Sequence, residues 1–205
     1  MLRGCDVSNW QSQVNWSLLG QVVDFTAIKA TEGADWPDPL FHANMQQSSV
    51  FTMPRIPYLF CRPFSGIDRA GRADATYYLS VVRQLMRSGD VPAIDIEDDT
   101  DPTADLGAYT LDCVETIESA LGVPPMIYSS VDYIVRHKID QVPALARCGL
   151  WPADWETQRF PVAPVPWTFW AIWQYGNWPL PGVNGPVDLD IFNGTVEQLR
   201  KYGIA

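Results

Sequence analysis

The sequence predicts a single α/β domain, residues 1–205, folded as an irregular TIM-like barrel with fewer helices than usual. The chain has 205 residues, which suits one domain with a sizeable buried core. In its earlier part, short runs rich in β-branched and aromatic residues alternate with segments of helical spacing, a pattern typical of a parallel sheet. In its later part the runs follow one another with proline-rich turns between them, which leaves little room for full helices.

Eight apolar runs bounded by turn-forming residues are the predicted strands. They are Gly4 to Asn9, Phe25 to Thr31, Ile56 to Phe60, Val91 to Glu97, Pro125 to Ser129, Gly149 to Ala153, Thr168 to Tyr175 and Pro186 to Phe192. Eight strands in a chain of this length predict a closed or nearly closed barrel, whose active site lies at the C-terminal ends of the strands.

The segments between the early strands have helical apolar spacing. Two amphipathic crossovers are predicted, from Asp68 to Ser88 and from Thr103 to Leu121. Gly89 and Gly122 follow them and can adopt the left-handed conformation that ends a helix. Weaker helical candidates are Trp16 to Val23, Pro39 to Ser49 and Thr195 to Tyr202.

The composition excludes several classes of partner and cofactor. With 14 basic and 24 acidic residues, the formal net charge is −10, so nucleic acids and anionic membranes are not expected partners. The chain starts without a secretory signal and has no apolar run long enough for membrane insertion. Cys5, Cys61, Cys113 and Cys148 show no zinc-site spacing, so we expect reduced, buried cysteines, no metal and no cofactor.

Carboxylates stand at the end of the fourth predicted strand. Asp95 and Glu97 are two residues apart, so they share one face of the strand about 7 Å apart. Mutual repulsion and burial raise the pKa of such carboxyls, and one of them can then act as a general acid near neutral pH. The alternative is an acidic, solvated loop, to which Asp98, Asp99 and Asp101 are assigned in either case.

Two further predicted strands also carry acidic residues near their ends. Asp6 lies in the first strand, and Asp188 lies in the last. Because the first and eighth strands of a closed barrel are neighbours, these two side chains are predicted to lie close together, across the mouth from Asp95 and Glu97. A capping or turn role is the alternative for each acid taken alone.

Aromatic residues gather near the same strand ends, in a chain that contains nine tryptophans. Sugars present apolar C–H faces and polar edges, which suits rings with a polar tip. The candidates are Trp10, Trp151, Trp155, Trp173, Tyr175 and Trp178, with ordinary core packing as the alternative for each. Trp170 and Ile172 are expected to pack outward against the shell of the barrel.

An ordered set of motifs covers nearly the whole chain. It comprises Gly4-Cys-Asp-Val-Ser8 with Gln11, Phe25-Thr-Ala-Ile-Lys-Ala-Thr-Glu-Gly33, Asp95-Ile-Glu97, Ile127-Tyr128, Leu150-Trp151, Trp173-Gln-Tyr175 and Val187-Asp-Leu-Asp190. This set resembles the glycoside hydrolase family 25 lysozymes. The resemblance implies a (β/α)5β3 barrel and N-acetylmuramidase activity, which cleaves the β-1,4 bond between N-acetylmuramic acid and N-acetylglucosamine in bacterial peptidoglycan.

The resemblance also implies roles for individual residues. Glu97 matches the proton donor, and Asp95 the residue that orients the substrate's acetamido group for attack with retention. Direct attack by Asp95 stays open as the alternative. Asp6 and Asp188 match the remaining acidic positions of the catalytic site. The expected substrate-binding residues are Lys29, Tyr58, Tyr128, Trp151, Gln174 and Asp190.

The chain departs from the family pattern in two places. Leu59 stands where histidine is usual, between Tyr58 and Phe60, and Pro152 and Trp155 stand where other residues are usual. We expect these changes to affect the binding cleft more than the acid pair.

Two alternative functions start from the same residues. A chitinase-type hydrolase fits poorly, because Pro92 and Ala93 stand where its motif needs acids. A catalytically inactive wall-binding or virion structural protein on the same barrel is the second alternative.

The missing signal favours a bacteriophage lysin that is made in the host cytoplasm and is holin-released or virion-associated, with a secreted mature enzyme as the alternative. We expect a monomer without a separate wall-binding module.

Overall fold

The computed structural model describes residues 1–66, 70–156 and 159–205, and in it helices pack around a β-barrel. The strands are β1 Leu2–Val7, β2 Phe25–Glu32, β3 Trp36–Pro37, β4 Arg55–Phe60, β5 Ala93–Asp95, β6 Met126–Ser130, β7 Leu150–Ala153, β8 Ile172–Pro179 and β9 Pro186–Phe192. The helices are α1 Trp16–Leu19, α2 Phe41–Ser48, α3 Ala70–Val82, α4 Leu106–Leu121, α5 Val131–Arg136 and α6 Val196–Arg200.

The barrel closes through eight of these strands, in the order β1-β9-β8-β7-β6-β5-β4-β2, with β2 pairing back to β1. The ladders from β1 through β2, β4, β5, β6 and β7 to β8 are parallel. Strand β9 runs antiparallel to both of its neighbours, and β3 adds a short antiparallel strand to β2. The predicted α/β barrel, with strands in succession near its end, is confirmed.

Two apolar layers hold the barrel together. Phe25, Met126 and Ile172 belong to the cluster that fills the barrel interior. Ile94 and Ile117 belong to the larger cluster that lies between the strands and the helices. The helices therefore cover the outside of the barrel and leave the ends of the strands accessible.

The expectation that Ile172 packs outward is wrong. Gln174 of β8 lines the cavity at the mouth of the barrel, and side chains two apart in a strand share one face, so Ile172 points inward as well. Trp173, between them, points outward and packs with Trp170 and Phe160, with ring centroids 6.3 and 5.7 Å away.

Two short elements were not predicted from the sequence. Strand β3 has only two residues, and α5 begins directly after β6, capped by a hydrogen bond from the Tyr133 backbone N–H to Ser130 Oγ at 3.1 Å. Both are too short for a periodic apolar pattern to indicate them.

The C-terminal boundary predicted from the sequence is accurate for helix α4 but not for helix α3. Helix α4 ends at Leu121 and is capped by Gly122, which has the predicted left-handed conformation with φ of 78°. Helix α3 ends at Val82, well before Gly89, so Gly89 does not cap it, although its φ is 85°. The predicted start at Asp68 lies outside the described residues.

All four cysteines are free and buried, as predicted. Within the described residues, no helix combines the length and the apolar character needed to cross a membrane.

A buried ion pair lies at the N-terminal end of the strands, opposite the mouth. Arg55 at the start of β4 and Asp90 before β5 are each 1% exposed. Arg55 Nε donates to Asp90 Oδ1 at 3.1 Å, Nη1 to the Met45 carbonyl at 2.7 Å, and Nη2 to the Leu85 carbonyl at 3.1 Å. One guanidinium thus ties β4 to α2 and to the segments that lead into β5.

Candidate active site

A cavity of about 280 Å³ opens where the parallel strands end. Nine of the ten predicted site residues line it: Asp6, Lys29, Tyr58, Asp95, Glu97, Tyr128, Trp151, Gln174 and Asp188. Ser8, Trp10, Gln11 and Phe60 complete the lining. The tenth predicted residue, Asp190, is fully buried and does not line the cavity.

Asp95 and Glu97 face the cavity from the end of β5. Ile96 N–H donates to the Tyr128 carbonyl at 3.0 Å, and Ser129 Oγ donates to the Ile96 carbonyl at 2.6 Å. These bonds keep the chain aligned with β6 beyond the last residue of β5. The strand alternation therefore continues, with Ile96 fully buried in the outer layer and both carboxyls on the cavity side.

The two carboxyls differ in their surroundings. Asp95 is 8% exposed, and its Oδ1 has no hydrogen-bond partner among the described residues. Burial raises its pKa well above the usual value, and the charge of Glu97 adds to the shift. Glu97 is exposed at the mouth, yet partial loss of hydration in this concave site raises its pKa, with Asp188 as the next cause. Both groups therefore hold their protons more tightly than free carboxyls.

Asp6 and Asp188 stand side by side on the other wall, because Asp6 of β1 is the register partner of Asp188 of β9. Burial raises the pKa of Asp6 well above its usual value, and the charge of Asp188 adds to this. Burial also raises the pKa of Asp188, although the Asn177 side-chain N–H donates to its Oδ1.

Gln174 connects the wall that carries Asp6 to the floor of the cavity, which is formed by Tyr128 and Trp151. Its Oε1 accepts hydrogen bonds from Tyr128 OH at 2.9 Å and from Trp155 Nε1 at 3.0 Å, and its Nε2 donates to Asp6 Oδ2 at 2.9 Å. Because two donors face one end of the amide, its N–H end must face Asp6. Gln174 is 2% exposed, so its contacts hold Asp6 in place from below.

Asp190 supports the floor from behind. It is fully buried, and its Oδ1 accepts a hydrogen bond from Trp151 Nε1 at 2.9 Å. Burial raises its pKa well above the usual value, with Asp6 as the next cause. The structure therefore places Asp190 as a support for Trp151 and gives it no surface in the cavity.

Lys29 is the one cationic side chain among the described residues that line the cavity. Its Nζ lies 2.7 Å from Glu32 Oε2 and 4.5 Å from the centre of the Phe60 ring. Arg62 continues this charged row, with Nε 3.0 Å from Glu32 Oε1 and Nη1 3.0 Å from Asp98 Oδ2. Lys29 and Arg62 thus partly neutralise the negative charges of Glu32 and Asp98.

The assignment of Asp98 to a solvated loop is wrong. Its side chain is only 8% exposed, pairs with Arg62 and accepts a hydrogen bond from the Thr100 N–H at 3.0 Å. Asp99 is exposed and pairs with Arg136, while Asp101 accepts hydrogen bonds from the Ser65 and Thr103 segments. These contacts order the loop after β5. No local pattern in the sequence indicates the contacts with Arg62, Arg136 and Ser65, since these partners come from distant segments.

The aromatic candidates fall into two groups. Trp10 and Trp151 line the cavity, and Trp151 packs edge-to-face with Tyr128, with ring centroids 5.2 Å apart. Trp155 contacts the site through Gln174 and is half exposed. The remaining three candidates, Trp173, Tyr175 and Trp178, form a separate row of rings and do not line the cavity.

Leu59 does not alter the rim of the cleft. Its side chain is fully buried in the layer between the strands and the helices, so it faces away from the cavity. The expectation that this departure affects the rim is wrong, because Tyr58 and Phe60 take the inward positions of β4. Across the part of the chain that the structure describes, no group of His, Cys, Asp and Glu side chains could hold a metal ion.

Comparisons with known proteins agree with this geometry. The model of the family "Glycosyl hydrolases family 25" matches residues 5–182. The chain is 30% identical to the uncharacterized protein YegX of Escherichia coli K12, over 98% of this chain and 73% of that protein. It is 28% identical to lysozyme M1 of Streptomyces globisporus, over 97% and 70% of the two chains. The crystal structure of a lysozyme from Streptomyces coelicolor superposes with a TM-score of 0.84 at 26% identity, over 98% of this chain and 96% of that one.

Proposed function

This chain belongs to glycosyl hydrolases family 25, and from that premise we propose that it is a peptidoglycan N-acetylmuramidase. The observation that carries the proposal is the open cavity in which Asp95 and Glu97, both with raised pKa, face Asp6 and Asp188. The bond that it is proposed to hydrolyse is the β-1,4 link between N-acetylmuramic acid and N-acetylglucosamine. The related lysozyme M1 and the lysozyme structure support this substrate class.

Glu97 is proposed as the general acid. It is exposed at the mouth, where a glycosidic oxygen can reach it, and its raised pKa keeps a larger fraction protonated as the pH rises towards neutrality. Proton transfer from Glu97 to the leaving oxygen accompanies cleavage of the C–O bond. In the second half of the reaction the Glu97 carboxylate takes a proton from the attacking water, which regenerates the acid.

Asp95 is proposed to orient the acetamido group of the substrate. Its Oδ1 is buried, lies in the same cavity as Glu97 and has no partner among the described residues, so it can accept a hydrogen bond from the acetamido N–H. The acetamido oxygen then attacks the anomeric carbon, and water later opens the resulting ring, which gives retention. Direct attack by Asp95 is the competing route, and it would also retain the configuration.

The floor and the opposite wall are proposed to hold the sugars. Trp151 and Tyr128 present ring surface, while Lys29 presents the cation of the lining. Asp6 is fixed by Gln174 and can accept hydrogen bonds from substrate hydroxyls. A bacteriophage origin, the monomeric state and action on the wall as a holin-released or virion-associated enzyme remain predictions.

Digestion of purified Gram-positive sacculi tests the proposal. We expect new reducing ends, identified by mass analysis as N-acetylmuramic acid. Reducing ends of N-acetylglucosamine would contradict the bond assignment. Cell-wall binding without any new reducing ends would favour the inactive wall-binding alternative, and faster turnover of soluble chitin oligomers than of cell walls would favour a chitinase.

The pH profile of an Asp188→Asn variant tests the role of the acid cluster. Loss of hydration first, and the charge of Asp188 second, raise the pKa of Glu97. Activity requires protonated Glu97, so kcat/KM falls as the pH rises through that pKa. Removing the charge of Asp188 lowers the pKa, and we expect the alkaline limb of the profile to move to lower pH.

Asp99→Asn is the matched control for this measurement. It removes the same charge from an exposed position that pairs with Arg136 outside the cavity. We expect its alkaline limb to coincide with that of the wild type. A shift of equal size in both variants would show that net charge, and not the neighbourhood of Glu97, controls the profile.

A further inference from the structure

A second cavity, of about 760 Å³, lies away from the acids. It is bounded by the start of α1, by the segment that follows α2 and by the turn between β8 and β9; we call it the hairpin cavity. Four carboxamide side chains line it, from Gln13, Asn15, Gln47 and Asn184, together with aromatic rings. This volume lies in the range of small-molecule and oligomer sites.

The hairpin cavity is polar but uncharged. Among its described lining residues none carries a charge, although the protein as a whole has a net charge of −10. The side chains of Gln13, Gln47 and Asn184 are exposed and make no hydrogen bond to other described residues. The Asn15 side chain bonds through its Oδ1, which accepts from the Leu18 N–H at 3.2 Å. Its side-chain N–H groups have no acceptor among the described residues and remain available for a ligand.

The ring of Trp16 forms part of the same wall. Trp16 is 4% exposed, and its Nε1 donor has no acceptor among the described residues. Buried donors without a partner are rare in folded proteins, and water or a ligand commonly satisfies them. The second ring in the lining, Phe51, is partly buried and packs against the core. The cavity therefore combines exposed amide groups with one partly buried ring, Phe51, and one buried indole donor, Trp16 Nε1.

The shape of the hairpin cavity is held by close backbone contact. The Asn15 N–H donates to the Gly182 carbonyl at 2.7 Å. Gly182 has φ of +91°, and a Cβ at this position would lie 2.5 Å from the Asn15 carbonyl oxygen. Only glycine allows this approach, so the turn of the β8–β9 hairpin is fixed against the start of α1 without any ligand.

We propose that the hairpin cavity is a second binding site for the N-acetylated glycan strand, separate from the catalytic cavity; the proposal rests on the function proposed above. Carboxamides donate to and accept from sugar hydroxyls and acetamido groups, and rings pack on sugar C–H faces. The lack of charged lining residues disfavours a phosphate or carboxylate as the ligand.

The same hairpin connects the two sites. Asp188 lines the catalytic cavity, and Asn177 of β8 is its register partner. Gly182, in the lining of the hairpin cavity, follows Asn177 by five residues. Five extended residues span about 16 Å at about 3.3 Å per residue. Because β8 ends at Pro179 and the chain then turns, Asn177 and Gly182 lie within that distance. A wall polymer held in the hairpin cavity would keep further glycan near the catalytic cavity, which raises its effective concentration there.

Binding is measured in the Glu97→Gln variant, in which turnover of the ligand is expected to be strongly reduced. The probes are insoluble purified peptidoglycan and soluble chitotetraose. In this background we compare the double substitution Gln47→Ala with Asn184→Ala against Gln46→Ala. Gln46 is an exposed amide on the same helix and does not line the cavity, so it is the matched control. We expect binding to peptidoglycan about tenfold weaker for the double variant and unchanged for the control.

Hydrogen exchange and turnover locate the effect. With chitotetraose bound, we expect slower exchange in residues 13–17 and 182–184. With Glu97 restored, the double variant should cleave a soluble peptidoglycan tetrasaccharide, which contains one bond between N-acetylmuramic acid and N-acetylglucosamine, like the wild type. It should cleave intact sacculi with a higher KM. Equal binding by the double variant and the control, absence of protection in these segments, or no glycan binding at all would overturn the proposal.

The two proposals fail separately. If the wild type releases no reducing ends from sacculi, the muramidase assignment fails, while weaker binding by the double variant still supports the hairpin cavity. If the wild type is active and the double variant binds as the control does, only the hairpin cavity fails.

Discussion

Glu97→Gln is expected to reduce turnover of purified peptidoglycan by a factor of about 10² to 10⁴ while leaving the fold intact. Glutamine keeps the size and shape of the side chain but has no proton to transfer to the leaving oxygen. Glu97 is exposed and stands among other acids whose charge disfavours its ionisation, so its neutralisation should not lower the thermal midpoint. Reducing-end release and thermal unfolding, measured on the same preparation, separate lost chemistry from lost structure.

Glu115→Gln is the control for this substitution. Glu115 lies on the exposed side of α4, and the same chemical change there should leave turnover and stability as in the wild type. If the Glu97 variant kept wild-type turnover, Glu97 would not be the acid. Asp95, which is more deeply buried and also has a raised pKa, would then be the first candidate.

Arg55→Met is expected to cause the largest loss of stability, about 3–5 kcal/mol in the free energy of unfolding. The substitution leaves Asp90 buried without its guanidinium and removes the donors to the Met45 and Leu85 carbonyls. For a chain of this length the thermal midpoint should fall by about 10 °C. Urea unfolding, followed by circular dichroism, provides the free energy.

Two further variants test the cause of that loss. Combining Arg55→Met with Asp90→Leu removes both charges, and we expect much of the lost stability to return because no buried charge is left unpaired. Arg136→Met breaks an exposed pair with Asp99 and should leave unfolding unchanged. An Arg55 variant as stable as the Arg136 variant would show that the buried pair does not hold the N-terminal end of the barrel.

The position of the acids follows from local pattern. Asp95 and Glu97 are two apart after an apolar run, and Asp6 and Asp188 lie in the first and last runs, so a closed barrel brings all four to one mouth. The structure places them there. Their roles in catalysis remain proposals that the kinetic variants test.

Contacts between distant segments do not follow from local pattern. Trp173 has the same sequence context as a cleft residue, but the alternation set by Gln174 turns it outward. Asp98 sits in an acidic run typical of a solvated loop, yet Arg62, from another strand end, covers it. For Asp98 the partner comes from a distant segment, and for Trp173 the outward side follows from the way β8 is placed in the closed barrel.

The sequence by itself determined the barrel class, the succession of strands near its end and the strand ends that carry acids, because apolar periodicity and turn residues act over a few neighbouring positions. The tertiary structure decided which side chains meet across those ends. Gln174 fixed on Asp6, Asp190 supporting Trp151, and the hairpin turn against α1 all join segments far apart in the chain. Such pairings depend on how the closed barrel brings strands together in space, and no local pattern records them.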